Sequence, residues 1–240
     1  MRYIYEKLSY PFVWMQTGLF YFKMKKLDDP KGERIVHIGS SEKIVRILVV
    51  GDSSALGVGC DEISQSSVGA IAEKLSEQFS VQYQVCAFTG FTTKQISEKV
   101  KEIPKQSFDF IVISLGTNDI LQRTKLPDWV KQITELMTYL QVSFCPQKIF
   151  INAVPPFQKL SHLPNSFRTY LSNKSQQMNQ YLSQLSVGSS AYQFVDMDFD
   201  FHADYISDDG FHPSALLYQL QGERIATLML EKLVGENDVA

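Results

Sequence analysis

Cysteine is scarce in this chain and basic charge is not in excess. Only Cys60, Cys86 and Cys145 occur, far apart and with no C-x-x-C pair. An odd, sparse set of thiols excludes a disulfide framework and a zinc ribbon, and leaves free thiols as the expected state. Lys and Arg total 23 against 26 Asp and Glu, a net charge of -3, so no basic face stands ready for nucleic acid. No apolar run is long enough for a membrane span, and the N-terminus lacks a hydrophobic leader with a small-residue cleavage site. Lack of an export signal and free thiols point to the cytoplasm. What remains is 240 residues, 44% hydrophobic and 20% charged, an ordinary balance with enough chain for one sizeable core.

Two segments depart from that balance. Residues 10–27, YPFVWMQTGLFYFKMKKL, set Trp14, Phe20, Tyr21 and Phe22 beside Lys23, Lys25 and Lys26. An interfacial anchor uses that composition, with aromatics in the lipid and lysines at the headgroups. The other reading is an arm packed along the domain, as aromatic stretches are most often buried, and both stay open at this point. Residues 27–43 are polar and turn-rich and read as a linker. Residues 1–43 are therefore expected to be an arm plus linker, and 44–240 a single α/β domain.

Within that domain, strand and helix alternate five times. Strands are expected at 46–50, 81–88, 108–116, 148–154 and 192–198, where short β-branched or aromatic runs occur. Helices are expected at 66–79, 92–103, 127–141, 166–185 and 213–233, from apolar spacing, Ser or Thr caps and a Pro in the first turn at 127. Such alternation builds a parallel sheet covered on both faces, with chemistry at the carboxyl ends of its strands.

The loop after the first strand, GDSSALGVG (51–59), suits a phosphate cradle, a nucleophile or a turn. A phosphate loop needs lysine after its second glycine, and Val58 stands there. The dinucleotide fingerprint fails because Glu62 replaces its third glycine, and the hydrolase elbow G-x-S-x-G fails at Ala55. A nucleophilic Ser53 would need a base and an orienting group. Among His37, His162, His202 and His212, only His212 sits on a proline-fixed turn, with Asp209 three residues before it. An oxyanion also needs donors. Gly90, after the second strand, can expose a backbone N–H, and Asn118, in GTND after the third, offers a side-chain amide.

Ser53 in GDSSALG, Gly90 in TGFTT, Asn118 in GTND, and Asp209 with His212 in DGFHP resemble the four blocks of the SGNH hydrolases, the GDSL esterase/lipase family. The resemblance runs over about residues 46–233. It implies a flavodoxin-like, three-layer α/β/α fold around a parallel five-stranded sheet. It implies Ser53 as nucleophile, His212 as base and Asp209 as its orienter. The oxyanion hole would be the N–H groups of Ser53 and Gly90 plus the Asn118 side chain. Ser54 stands where many members carry leucine, and the second block lacks the asparagine often found shortly before its glycine.

The expected reaction is hydrolysis of small carboxylic esters through an acyl-enzyme on Ser53, without cofactor or metal. Short- to medium-chain or lipid-like acyl esters are the expected substrates, and carbohydrate O-deacetylation on the same site is the alternative. Phe157, Leu160 and Leu163, in the loop 154–167, are expected to line the acyl pocket. Two readings from other classes remain. One is an anion-binding module that uses the same backbone N–H groups without chemistry. The other is a metal-dependent hydrolase that draws on the six aspartates and His202 of the acidic run 196–209.

Overall fold

A computed structural model describes residues 11, 15–20, 22–197, 199 and 202–235. Tyr10, Trp14 and Tyr21 of the aromatic segment, and Asp198 and Asp200 of the acidic run, lie outside the described residues.

Among the described residues, six strands form one sheet. They are β1 (Ile35–Ile38), β2 (Ile44–Gly51), β3 (Ser80–Ala87), β4 (Phe110–Ser114), β5 (Lys148–Asn152) and β6 (Tyr192–Val195). Their spatial order is β1-β3-β2-β4-β5-β6. Strands β2 to β6 are mutually parallel, and β1 runs antiparallel along the outer edge of β3. The five expected parallel strands are therefore all present, and the expected count of five becomes six.

The added strand corrects the linker reading of residues 27–43. Ile35–Ile38 pairs with Val81–Gln84, and Arg34 Nη1 donates to the Ala87 carbonyl at 2.6 Å, fastening the segment to the end of β3. Ile35 is 69% exposed. The strand, IVHI, is only four residues long, is interrupted by His37 and lies between polar, turn-forming stretches, which is why its sequence reads as part of a loop.

Seven numbered helices accompany the sheet: α1 (Ser53–Leu56), α2 (Ser67–Ser76), α3 (Thr93–Val100), α4 (Thr117–Leu121), α5 (Leu126–Phe144), α6 (Asn165–Ser186) and α7 (Ala215–Gly235). Strand alternation sorts them into two layers. On β2, Val45, Ile47 and Val49 face the core shared with α2 and α7, where Ile71, Leu75, Ile225 and Met229 are buried. Leu48 and Val50 face the opposite core, closed by α3, α5 and α6 through Ile96, Ile133, Leu136, Phe167 and Leu171. Burial on both faces explains the unbroken apolar reading of these strands. Local signals also hold the helices. Thr92 and Gln95 form a capping box on α3, and Pro127 lies in the first turn of α5.

The chain goes from β2 to β3 on one side and then back past β2 to β4 on the other. That reversal opens a crevice at the carboxyl ends of the three central strands. The loops bearing Ser53, Gly90 and Asn118 all begin there.

Candidate active site

Ser53 opens α1 directly after β2. Gly51 is paired with Ser114 of β4, and a Cβ on Gly51 would lie 2.2 Å from the Ser114 carbonyl oxygen and 2.5 Å from Ala55 Cβ. Only glycine lets the strand turn this tightly into the helix. As the first residue of α1, Ser53 has a backbone N–H with no partner inside the helix.

The distant residues converge on it. His212 Nε2 is 2.9 Å from Ser53 Oγ, and His212 Nδ1 is 2.5 Å from Asp209 Oδ2. Asp209 is itself held from three sides, since its Oδ1 accepts from Phe211 N (2.8 Å), His212 N (3.0 Å) and Ser207 Oγ (3.0 Å). Burial alone would raise the Asp209 carboxyl. The His212 hydrogen bond and charge, with the two backbone N–H groups, outweigh burial and hold it below the ordinary carboxylate range. Asp209 is therefore an anion at neutral pH, able to fix the Nδ1–H tautomer of His212 and leave Nε2 to accept the Ser53 proton. His202 does not join this group; its exposed ring packs edge-on against Tyr205.

Asn118 lies in the first turn of α4, half-buried, and its Nδ2 donates to Asp52 Oδ2 at 3.2 Å. An amide nitrogen carries two hydrogens, so the second stays available for a developing oxyanion. Gly90 occupies the turn after β3 with φ +81°, a left-handed conformation that favours glycine, and its carbonyl accepts from Gln122 Nε2 at 3.0 Å.

The sequence reading gave Asp52 no role, yet this residue joins the nucleophile loop to Asn118. It is buried, and its Oδ1 accepts from both the N–H (3.0 Å) and the hydroxyl (2.9 Å) of Ser54. Burial pushes its carboxyl up to about 6, against the Ser54 donors and the charge of His212. The departure at Ser54 thus supplies a donor to Asp52 that leucine could not. Asp119 is a similar structural acid: burial raises it, while Thr93 N and Oγ1 donate to its Oδ2 at 3.0 and 2.8 Å. The signal for both lay in the strings GDS and GTND, but their partners are 66 and 26 residues away. His162 contacts the Gly210 carbonyl through Nε2, bracing the turn that carries Asp209 and His212.

The expected lining residues are placed differently. Phe157, Leu160 and Leu163 are buried in the core between sheet and helices, at 1, 4 and 2% exposure, so they do not form an open pocket wall. The half-buried Phe211 stacks on Phe157 with ring centroids 5.7 Å apart and lies edge-on to His212 at 5.6 Å. A cavity of about 460 Å³ lies between α3 and α5 and includes none of the site residues.

Two described aspartates of the acidic run 196–209 are already paired. Asp208 pairs with Lys25 at 2.7 Å, and Asp209 is committed to His212. Among the described residues no group of three or more His, Cys, Asp or Glu side chains is arranged to hold a metal ion. Burial raises the Cys60 and Cys86 thiols to about 11, which keeps both protonated and unreactive.

Comparison with known proteins gives a family match and a shared fold. The sequence profile of the GDSL-like Lipase/Acylhydrolase family matches residues 49–220. A GDSL-like esterase of Mycobacterium tuberculosis (strain ATCC 25618 / H37Rv) is 28% identical over 130 residues, 49% of this chain and 41% of that protein. The match thus spans well under half of that relative's length. Among solved structures, an acetylxylan esterase from Geobacillus stearothermophilus, seen as a catalytic mutant, superposes with a TM-score of 0.58 at 16% identity, over 80% of this chain and 94% of its own. A lipase/acylhydrolase from Enterococcus faecalis gives 0.56 at 16% identity, over 78% and 96%. At such identities the likeness shows the shared fold.

Proposed function

Because the chain belongs to the GDSL-like lipase/acylhydrolase family, we propose that it is a serine hydrolase of carboxylic esters that works through an acyl-enzyme on Ser53. The observation that carries this reading is the relay from Ser53 Oγ to His212 Nε2 at 2.9 Å and from His212 Nδ1 to Asp209 Oδ2 at 2.5 Å. A site that only bound anions would have no need of a buried carboxylate aligning an imidazole on a serine.

In this mechanism Ser53 Oγ attacks the ester carbonyl as His212 Nε2 takes its proton. The Asp209 anion stabilises the imidazolium that forms. The carbonyl oxygen becomes an oxyanion, met by the Ser53 and Gly90 N–H groups and the second Asn118 hydrogen. The intermediate collapses, His212 gives its proton to the departing alkoxide, and the acyl group stays on Ser53. Water, activated by the same imidazole, then attacks the acyl-enzyme and restores the serine.

For the substrate, we assign esters of short- to medium-chain or lipid-like apolar acids. The support is the half-buried Phe211, whose aromatic ring stands edge-on beside the base at 5.6 Å and is backed by the buried Phe157. The test is a panel of p-nitrophenyl esters from acetate to octanoate, run beside acetylated xylo-oligosaccharides. Specificity rising with acyl length supports the assignment. A preference for the acetylated sugar overturns it and keeps the serine mechanism. No hydrolysis of any ester overturns both.

A further inference from the structure

We propose that the N-terminal helix docks this protein on an anionic lipid surface. Residues 15–20 and 22–23 are helical, and the Phe20 carbonyl accepts from Met24 N at 2.8 Å, extending the turn. At helical spacing, positions 17, 20 and 24 share one face and positions 15, 19 and 22 share the opposite one. The first face is the inner one. Thr17 is buried and Met24 half-buried, while Phe20 packs on Phe167 (5.8 Å between centroids) and Phe211 (6.1 Å). Two polar ties fix the segment that follows. Lys25 Nζ reaches Asp208 at 2.7 Å, and Asp29 accepts from Thr89 Oγ1 at 2.5 Å. These contacts fall beside His212, Asp209 and Gly90, so the helix lies along the rim of the site.

The second face is held outward. Met15 is 54%, Leu19 53% and Phe22 88% exposed, a stripe of three large apolar side chains in register. A helix already anchored through one apolar face has no need of a second one, and a cluster of this kind on the surface marks an interaction site. Charge selects the occupant. Residues 15–26 carry Lys23, Lys25 and Lys26 and no acid, in a chain whose net charge is -3. Exposed Lys23 and Lys26 follow directly on the stripe. Apolar side chains with flanking lysines match a bilayer with anionic headgroups. A two-fold contact between copies of this chain through the stripe would bring the lysines of both copies together. No helix among the described residues is long and apolar enough to cross a membrane, so the contact is peripheral.

The test is co-sedimentation of the full chain with vesicles of equal phosphatidylglycerol and phosphatidylcholine, and with phosphatidylcholine alone. The wild type is expected to partition to the anionic vesicles, and raised salt to weaken it. The variant M15S/L19S/F22S is expected to lose at least about tenfold in partitioning, and K23E/K26E to lose its preference for anionic lipid. Hydrolysis of a soluble p-nitrophenyl ester is expected to stay at the wild-type rate in both variants, which reports that they fold. If the serine variant loses that activity, K23E/K26E decides alone. Equal sedimentation of wild type and variants, no binding by the wild type, or a wild-type dimer that the serine variant converts to monomer overturns the proposal. Vesicle binding by a chain that cleaves no ester would refute the function proposed above and leave this inference standing.

Discussion

Replacing Asp52 with asparagine separates two roles of one buried carboxyl. Its Oδ1 serves Ser54 and its Oδ2 receives the Asn118 amide. Burial raises it from the ordinary 3.8 to about 6, so the folded protein keeps a proton that the unfolded chain has already released between those values. Stability therefore falls as pH rises through that window. A rise of roughly two pKa units corresponds to about 3 kcal/mol in total, of which about 2 kcal/mol is lost between pH 4.5 and 8. Asparagine does not titrate. Urea unfolding of Asp52→Asn and wild type at the two pH values should show the difference shifting by about 2 kcal/mol in favour of the variant at pH 8. Groups common to both proteins cancel in that difference. Activity should move the other way. The new Nδ2 would face Asn118 Nδ2, donor against donor, and release the amide from its place at the oxyanion. A fall in kcat of about 10- to 100-fold follows, less than deletion of an oxyanion donor outright. A stability difference that is the same at both pH values, or an unchanged kcat, would refute the reasoning.

Asn118→Ala should leave the thermal midpoint close to wild type and lower kcat by about 100- to 1000-fold on a p-nitrophenyl ester. Gly51→Ala should destabilise the fold by about 3 kcal/mol or more in chemical denaturation, since its methyl would meet the Ser114 backbone at 2.2 Å with nothing flexible to give way. Asp209→Asn should cost about 10³- to 10⁴-fold in kcat by releasing the imidazole tautomer. Because the Asp209 carboxyl is held low, the stability it lends is complete above the ordinary carboxylate range and is lost as pH falls through the lowered value. Unfolding of Asp209→Asn should lack that acid-side step.

The parallel strands and five long helices were legible because both faces of the sheet are buried and each helix has one apolar side; their ends move by only a few residues. The edge strand Ile35–Ile38 was not legible. It is held by pairing with Val81–Gln84, a partner more than forty residues away, and its four residues are too short a run to stand out among the polar residues around them. At the site, Ser53, Asn118, Asp209 and His212 could be named because each stands in a short, punctuated string at a strand or helix end. The structure brings Ser53, His212 and Asp209 into one hydrogen-bonded line and ties Asn118 to the residue before Ser53. Asp52 was overlooked because a buried acid and its donor across the sheet leave no local spacing to read. The loop 154–167 misled for a related reason. Apolar residues in a loop read as lining, but Phe211 stacks on Phe157 and Phe20 packs on Phe167, both from distant segments.

Covalent labelling tests the central claim most directly. A fluorophosphonate probe, followed by peptide mass spectrometry, should modify Ser53 and no other serine in the wild type. Labelling should be lost in Ser53→Ala and strongly slowed in His212→Ala, where the oxygen lacks its base. Absence of modification at Ser53 in a folded, ester-cleaving protein, or labelling at Ser53 that is indifferent to His212, would contradict the account.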